Sequence, residues 1–314
     1  MKVCFLGNFR VPYTSENDYL WTMRRQLGIG VVTLQEGQAR GEDVERIALG
    51  CDAFFWVHTH GWNTRGRPMA TVLQTLRERG IPSFAYHLDL YMGLRRWRDY
   101  EGHDYLKVDH FFTVDKLMAD WLNAKTQTKG HFVRAGVVER DCYLLGKPPM
   151  RRDVIFVGSY RYHPEWPYRP RLIDWLKQTY GDRFQHWGPQ GRGLVRGRAL
   201  NDLYASTKIV IGDTLCPQFR YPYYTSDRAY EVLGRGGFCI HPRIKGMDEG
   251  LKDREHLAFY TYTDWPGLKQ TIDYYLENDE ERERIRRSGH EHVKAHCTYT
   301  DRLSQIFKTL EVGP

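Results

Sequence analysis

"TSDRAYEVLGRGGFCIHP", residues 225–242, holds one full helix-to-strand step of the chain. Thr225, Ser226 and Asp227 are the residue types that open a helix, and the run through Leu233 has helical spacing. The glycines at 234, 236 and 237 break it, and the stretch ending at His241 and Pro242 reads as a short strand. A helix start offers unpaired N–H groups and the positive end of the helix dipole. Thr225, Ser226, Asp227 and Arg228, with Glu231 one turn on, therefore form a candidate anion seat.

The same alternation extends outward from this step. Before it, strands are expected at 153–159, 184–189 and 208–213, with helices over 169–181 and 198–207. After it come a strand at 257–262 and helices to the end. Upstream, strands are expected at 2–8, 31–37, 53–61, 82–89, 110–115 and 131–137. Helices lie between them, the first over 15–28 with Ser15 as its N-cap. Strands alternating with helices mean βαβ units and parallel sheets covered on both faces. The connector "GKPPMRR" (146–152) separates two halves, predicting domains at 1–148 and 149–314.

Parallel sheets bind ligands beyond the C-terminal ends of their strands. The residues expected there are Asn8 and Phe9; His58, Thr59 and His60; His87 and Asp89; Gly158, Ser159 and Tyr160; Trp187 and Gly188; Asp213; His241 and Pro242. That is more polar chemistry than sheet packing requires.

Composition narrows the classes. The 314 residues are 41% hydrophobic and 27% charged, an ordinary globular balance. No apolar run is long enough to span a membrane, and the first strand starts at Lys2, so a cytoplasmic chain without a signal peptide is expected. The six cysteines show no C-x-x-C spacing, which argues for reduced, buried thiols and against a zinc site. The formal charge is +7, and residues 151–200 carry +6 of it, with ten basic residues against four acidic. A polyanion or ligand phosphates are the expected partner. The order G-x-G-x-x-G is missing after the first strand, and Gly146-Lys147 is followed by Pro148, so neither a Rossmann dinucleotide fingerprint nor a P-loop is present.

The second half resembles the nucleotide-binding half of GT-B glycosyltransferases, in particular the CgeB-like branch of the group-1 set. The matching pieces are "VIFVGSY" (154–160), "LYASTKIVIG" (203–212), "TSDRAYEVLGRGGFCIHP" and "ERIRRSGHEHVKAHCTYTDRLSQIF" (283–307). Ser226, Arg228, Glu231 and Gly236 fit the family pattern S-x-R-x-x-E-x-x-x-x-G. "GNFRVPYTSE" and "LQEG" in the first half are similar to glycosyltransferases carried by bacteriophages. The resemblance implies two Rossmann-like domains facing a cleft, with the C-terminal helix packing back toward the first.

It also implies a nucleoside-diphosphate sugar, most simply a uridine one, as co-substrate, with no cofactor and no bound metal. Arg228, Ser226, Asp227, Gly158, Ser159 and Arg161 would meet the diphosphate, Glu231 the ribose, and Trp187 with Gly188 the base. Many retaining members carry a second glutamate seven residues before the ribose one; residues 217–226 contain no acid, so stereochemistry stays open. If the reaction inverts, Asp89 is the expected base, with His60 second and His58 and His87 behind.

The acceptor expected is a hydroxymethylated pyrimidine in DNA, since arginines and aromatics interleave in "LRRWRDY" (94–100) and "YRYHPEWPYRPR" (160–171). Arg95, Arg96 and Arg98 would then hold flanking phosphates, and no membrane is involved. A protein or glycan acceptor, a nucleotide-sugar epimerase and a non-catalytic DNA-binding protein are the alternatives.

Overall fold

The computed structural model describes residues 1–58, 64–145 and 149–313, and these form two compact units. The first comprises Met1–Arg134 with Tyr299–Pro314, the second Ala135–Thr298.

In the first unit, six parallel strands alternate with helices: β1 (Lys2–Gly7), α1 (Ser15–Arg25), β2 (Gly30–Gln35), α2 (Gly41–Ala48), β3 (Ala53–Trp56), α3 (Met69–Glu78), β4 (Ser83–His87), the single turn α4 (Trp97–Tyr100), β5 (His110–Thr113), α5 (Lys116–Lys125) and β6 (Lys129–Phe132). The sheet order is β2-β1-β3-β4-β5-β6. Its centre is an aromatic ladder. Phe5 is in register with Phe55 and Phe55 with Phe84, and their rings stack at 4.3 and 4.5 Å. Such cross-strand pairs stabilise a sheet beyond the area they bury.

The second unit repeats the pattern with β7 (Arg152–Val157), α6 (Tyr168–Tyr180), β8 (Phe184–Trp187), α7 (Arg198–Ala205), β9 (Thr207–Ile211), α8 (Arg228–Gly234), β10 (Cys239–Pro242), β11 (Ala258–Tyr260), α9 (Trp265–Glu277) and α10 (Asp279–His296). Its order is β11-β10-β9-β7-β8, again all parallel. The chain switches direction across the sheet between β7 and β9, and a ligand crevice is expected beyond the C-terminal ends of those two strands.

The last helix, α11 (Tyr299–Thr309), belongs to the first unit. Tyr299 meets the Tyr19 ring edge-on at 4.9 Å, and Phe307 meets Phe84 at 5.7 Å.

Several boundaries differ from the sequence reading. By contacts the two units divide at 134/135 and again at 298/299, and Val137 N–H donates to the Cys297 carbonyl within the second unit. Thr14, not Ser15, caps α1, its hydroxyl accepting from Asn17 N–H. β6 spans 129–132 rather than 131–137, and β3 stops at Trp56. Among the described residues no helix is long and apolar enough to cross a membrane. All six cysteines are buried and unbridged, and burial pushes the thiols of Cys4, Cys142 and Cys239 up to about 12.

Candidate functional site

At the switch point of the second unit, β7 runs into Gly158 and β9 into Asp213. The Gly158 backbone has φ +152, and its N–H donates to the Trp187 carbonyl at 2.8 Å. A Cβ there would stand 2.7 Å from Nη2 of Arg228, so the missing side chain is what lets that guanidinium reach the strand end. Gly188, at φ +127, does the same from β8: a Cβ would lie 2.4 Å from the Gly158 carbonyl oxygen. Two neighbouring strand ends are thus pressed together with bare backbone between them.

Arg228 is half-buried and makes no ion pair among the described residues. Among the described residues its one hydrogen bond is a long one, 3.5 Å, to the Asp213 carbonyl, and it lies 5.1 Å from the Phe156 ring centroid. Burial, and then the like charge of Arg169, lower its pKa. The carboxylate of Asp213 favours the Arg228 charge only through space. It is fully buried and committed to Arg169 Nε at 2.8 Å and Trp166 Nε1 at 3.1 Å. Beside Arg228, the Ser226 hydroxyl is buried with no partner, while Ser226 N–H donates to Thr214 Oγ1. A desolvated cation and an orphan hydroxyl at bare backbone make a seat for an anion.

Asp227 occupies the N-cap of α8 with helical φ/ψ and no side-chain capping bond. Glu231, about one-third exposed, stands 3.7 Å from Arg235 Nη2. Arg235 is held more tightly elsewhere, by Asp141 at 2.6 Å and Asn201 at 2.6 Å, which leaves the Glu231 carboxylate available to hydroxyl donors. Ser159 is half-buried and Arg161 exposed on the loop after β7, while Tyr160 donates to Asp174. Trp187 is half-buried, 5.8 Å from the Arg152 guanidinium. Tyr223, eight positions before Glu231, adopts φ +61 and packs its ring against the bare backbone of Gly246.

The first unit gathers a second polar cluster beyond β2, β3 and β4. Asp89 lies two residues past β4, half-buried. His87 is 1% exposed with neither ring nitrogen paired among the described residues, and burial depresses its pKa to about 4. His58 Nδ1 faces Glu36 Oε1 at 2.5 Å, and Trp56 Nε1 donates to the same oxygen. His103 stacks on His58 at 4.9 Å. Glu36 and His103 were missed by the sequence reading. Glu36 could have been found, because β2 ends at Gln35 and places it in the position that singled out the other strand-end residues.

His60 and Thr59 lie outside the described residues. Arg95 and Arg98 are exposed. Arg96 is folded back instead: its Nε donates to the Leu90 carbonyl and its guanidinium covers Tyr91 at 4.4 Å, so it braces its own loop.

Residues 169–308, which cover most of the second unit and α11, match the model of a glycosyl transferase-like family. No curated protein sequence matches the chain significantly. Among solved structures, HepE of Anabaena in complex with UDP-glucose superposes with a TM-score of 0.68 at 14% identity, over 99% of each chain. An alpha-glucosyltransferase in complex with UDP-glucose and DNA containing an abasic site gives 0.71 at 10% identity, over 99% of each chain. An alpha-glucosyltransferase with UDP and a 13-mer DNA containing a HMU base gives 0.67 at 9%, with the same coverage. The fold is that of the GT-B glycosyltransferases.

Proposed function

We propose that this chain, a glycosyltransferase by its second-unit domain, moves a sugar from a uridine-diphosphate sugar to a hydroxyl of a hydroxymethylated pyrimidine in DNA. The observation that carries the donor half is Arg228: a half-buried guanidinium with no ion pair among the described residues, beside the bare backbone of Gly158 and a Ser226 hydroxyl that has no partner among them. A diphosphate supplies the missing negative charge. HepE and the alpha-glucosyltransferase, which share this fold, hold UDP or UDP-glucose. In this reading Gly158, Ser159 and Arg161 flank the phosphates, Glu231 accepts from the ribose hydroxyls, and Trp187 with Gly188 borders the base.

The acceptor half draws on the +6 of residues 151–200 and on the DNA complexes of the similar alpha-glucosyltransferase. In a single displacement, the acceptor oxygen forms a bond to the anomeric carbon while a base takes its proton. The bond from that carbon to the diphosphate oxygen breaks, and its electron pair leaves on the diphosphate, where Arg228 meets the charge. Asp89 is the base assigned, with His60 its alternate and exposed Arg95 and Arg98 as phosphate contacts.

UDP titration tests the donor site. At 100 times its dissociation constant UDP should stabilise the protein by about 2.7 kcal/mol, and Arg228→Ala should weaken binding about tenfold or more. A melting temperature indifferent to UDP, or unchanged affinity in the variant, overturns the donor assignment.

A further inference from the structure

Beyond β8 and Gly188 the chain makes a turn, residues 189–197, to which the donor reading assigns no role. Its frame is fixed. Gly188 N–H donates to the Gly193 carbonyl at 2.9 Å, Gly191 N–H to Gly188 at 3.0 Å, and Arg192 N–H to His186 at 2.9 Å. The Gly197 carbonyl accepts from Leu200 N–H at 3.0 Å. What this turn presents is unusual. Leu194 is 68% exposed, and among the described residues no large apolar side chain is more so. Arg192, Arg196 and Arg198 around it are all exposed, and none makes an ion pair among the described residues. No acidic residue occurs between Asp182 and Asp202. The neighbouring loop adds exposed Arg161 and Tyr162, since Val157 at the end of β7 is in register with Trp187 at the end of β8.

Within the DNA-acceptor reading on which it rests, we infer that this turn is a duplex-opening wedge: Leu194 enters the base stack beside the target nucleotide while Arg192, Arg196 and Arg198 hold the flanking phosphates. The chemistry selects this occupant. A target base must leave the stack to be modified, and proteins that unstack DNA insert one apolar side chain between base steps. Unpaired arginines on both sides of the leucine suit the phosphates on both sides of such a step. An anionic membrane is a poorer fit, because one leucine adds far less apolar area than a myristoyl chain, which is itself only a marginal anchor.

The test uses the full chain, a duplex with 2-aminopurine beside a hydroxymethyluracil, the matching single strand, and UDP-glucose. The wild type should raise 2-aminopurine fluorescence on binding. Leu194→Ala should lose that rise and cut transfer to duplex about tenfold relative to single strand, leaving UDP affinity unchanged. Leu194→Met should restore both. Arg196→Gln should lower the slope of log affinity against log salt by about 0.9. A Leu194→Ala protein that still unstacks the duplex and keeps the wild-type duplex-to-single-strand ratio overturns the wedge while the DNA reading stands. A wild type that unstacks duplex yet transfers sugar to neither DNA form leaves the wedge and overturns the acceptor. Binding to anionic vesicles that Leu194→Ala abolishes, with no change on DNA, assigns the turn to a membrane and overturns the proposal.

Discussion

A guanidinium partly withdrawn from water with no carboxylate in direct contact raises the free energy of the empty protein, and a bound diphosphate relieves it. Arg228 is that residue here, and its neighbours inherit their roles from it. Glu231 stands one turn along α8 with its carboxylate only weakly engaged by Arg235. Glu231→Ala should therefore weaken UDP binding about tenfold and change stability by under about 0.5 kcal/mol, read by calorimetry and melting on the same samples. Unchanged affinity would remove Glu231 from the ribose.

Asp89→Asn should lower turnover by about 10²- to 10⁴-fold at constant donor affinity, as loss of a transition-state proton acceptor does. A fully active variant moves the base to another residue. Buried His87 and His241 give a pH signature, both depressed to about 4. Their neutral forms are favoured in the fold, so the stability they contribute is complete above about pH 6.5 and is lost as pH falls toward 4, at about 1.4 kcal/mol per unit for each. Chemical denaturation between pH 7 and 4 checks this; His87→Gln should flatten the slope by one histidine's share.

Among single residues, the placement of Arg228 and Glu231 one turn apart on a short helix was legible because a spaced pattern carried it. The Glu36–His58 pair was not, since it joins residues on two strands through a contact that no local spacing encodes.

At the scale of elements, the first turn of α6 and the end of β9 are joined by one buried ion pair, Arg169 with Asp213. Removing one partner leaves the other charged and desolvated. Arg169→Ala should destabilise the protein by about 3–5 kcal/mol, measured by urea unfolding, and loosen the phosphate side of the site with it. A loss below about 1 kcal/mol would mean that Asp213 is rehydrated or protonated. The β7–β8 contact is equally tight: Gly188→Ala puts a methyl group against the Gly158 carbonyl and should impair UDP binding although residue 188 carries no polar side chain.

Helices and strands with strong periodicity, such as α6 and β7, lie close to where the sequence places them, whereas the run from Glu280 to Leu310, read as one helix, is broken into α10 and α11 at Cys297 and Thr298. The misplaced edges have physical causes. Thr14 and Ser15 are both competent caps, and only the backbone decides between them. β6 is a half-exposed edge strand in which Gly130 and His131 give little alternation to read. The turn at α4 is too short to show a period.

At the scale of the molecule, two parallel βαβ units were readable from alternation alone, because helix and strand periods differ and repeat along the whole chain. The return of the C-terminal helix to the first unit was expected from the family resemblance, whereas the division at Arg134 rests on tertiary contacts that the proline-containing connector does not announce.

The basic excess of residues 151–200 belongs to this scale too. It predicts DNA binding that weakens steeply between low and physiological salt, with each neutralised phosphate adding about 0.9 to the slope. The account turns on what receives the sugar. The direct measurement is to incubate the protein with UDP-glucose and DNA containing hydroxymethyluracil or hydroxymethylcytosine, digest the DNA to nucleosides, and weigh them by mass spectrometry. The account predicts a hydroxymethylated nucleoside heavier by one hexose, absent with Arg228→Ala. Unmodified nucleosides from a wild-type protein that binds UDP and transfers glucose to a protein or glycan would contradict it.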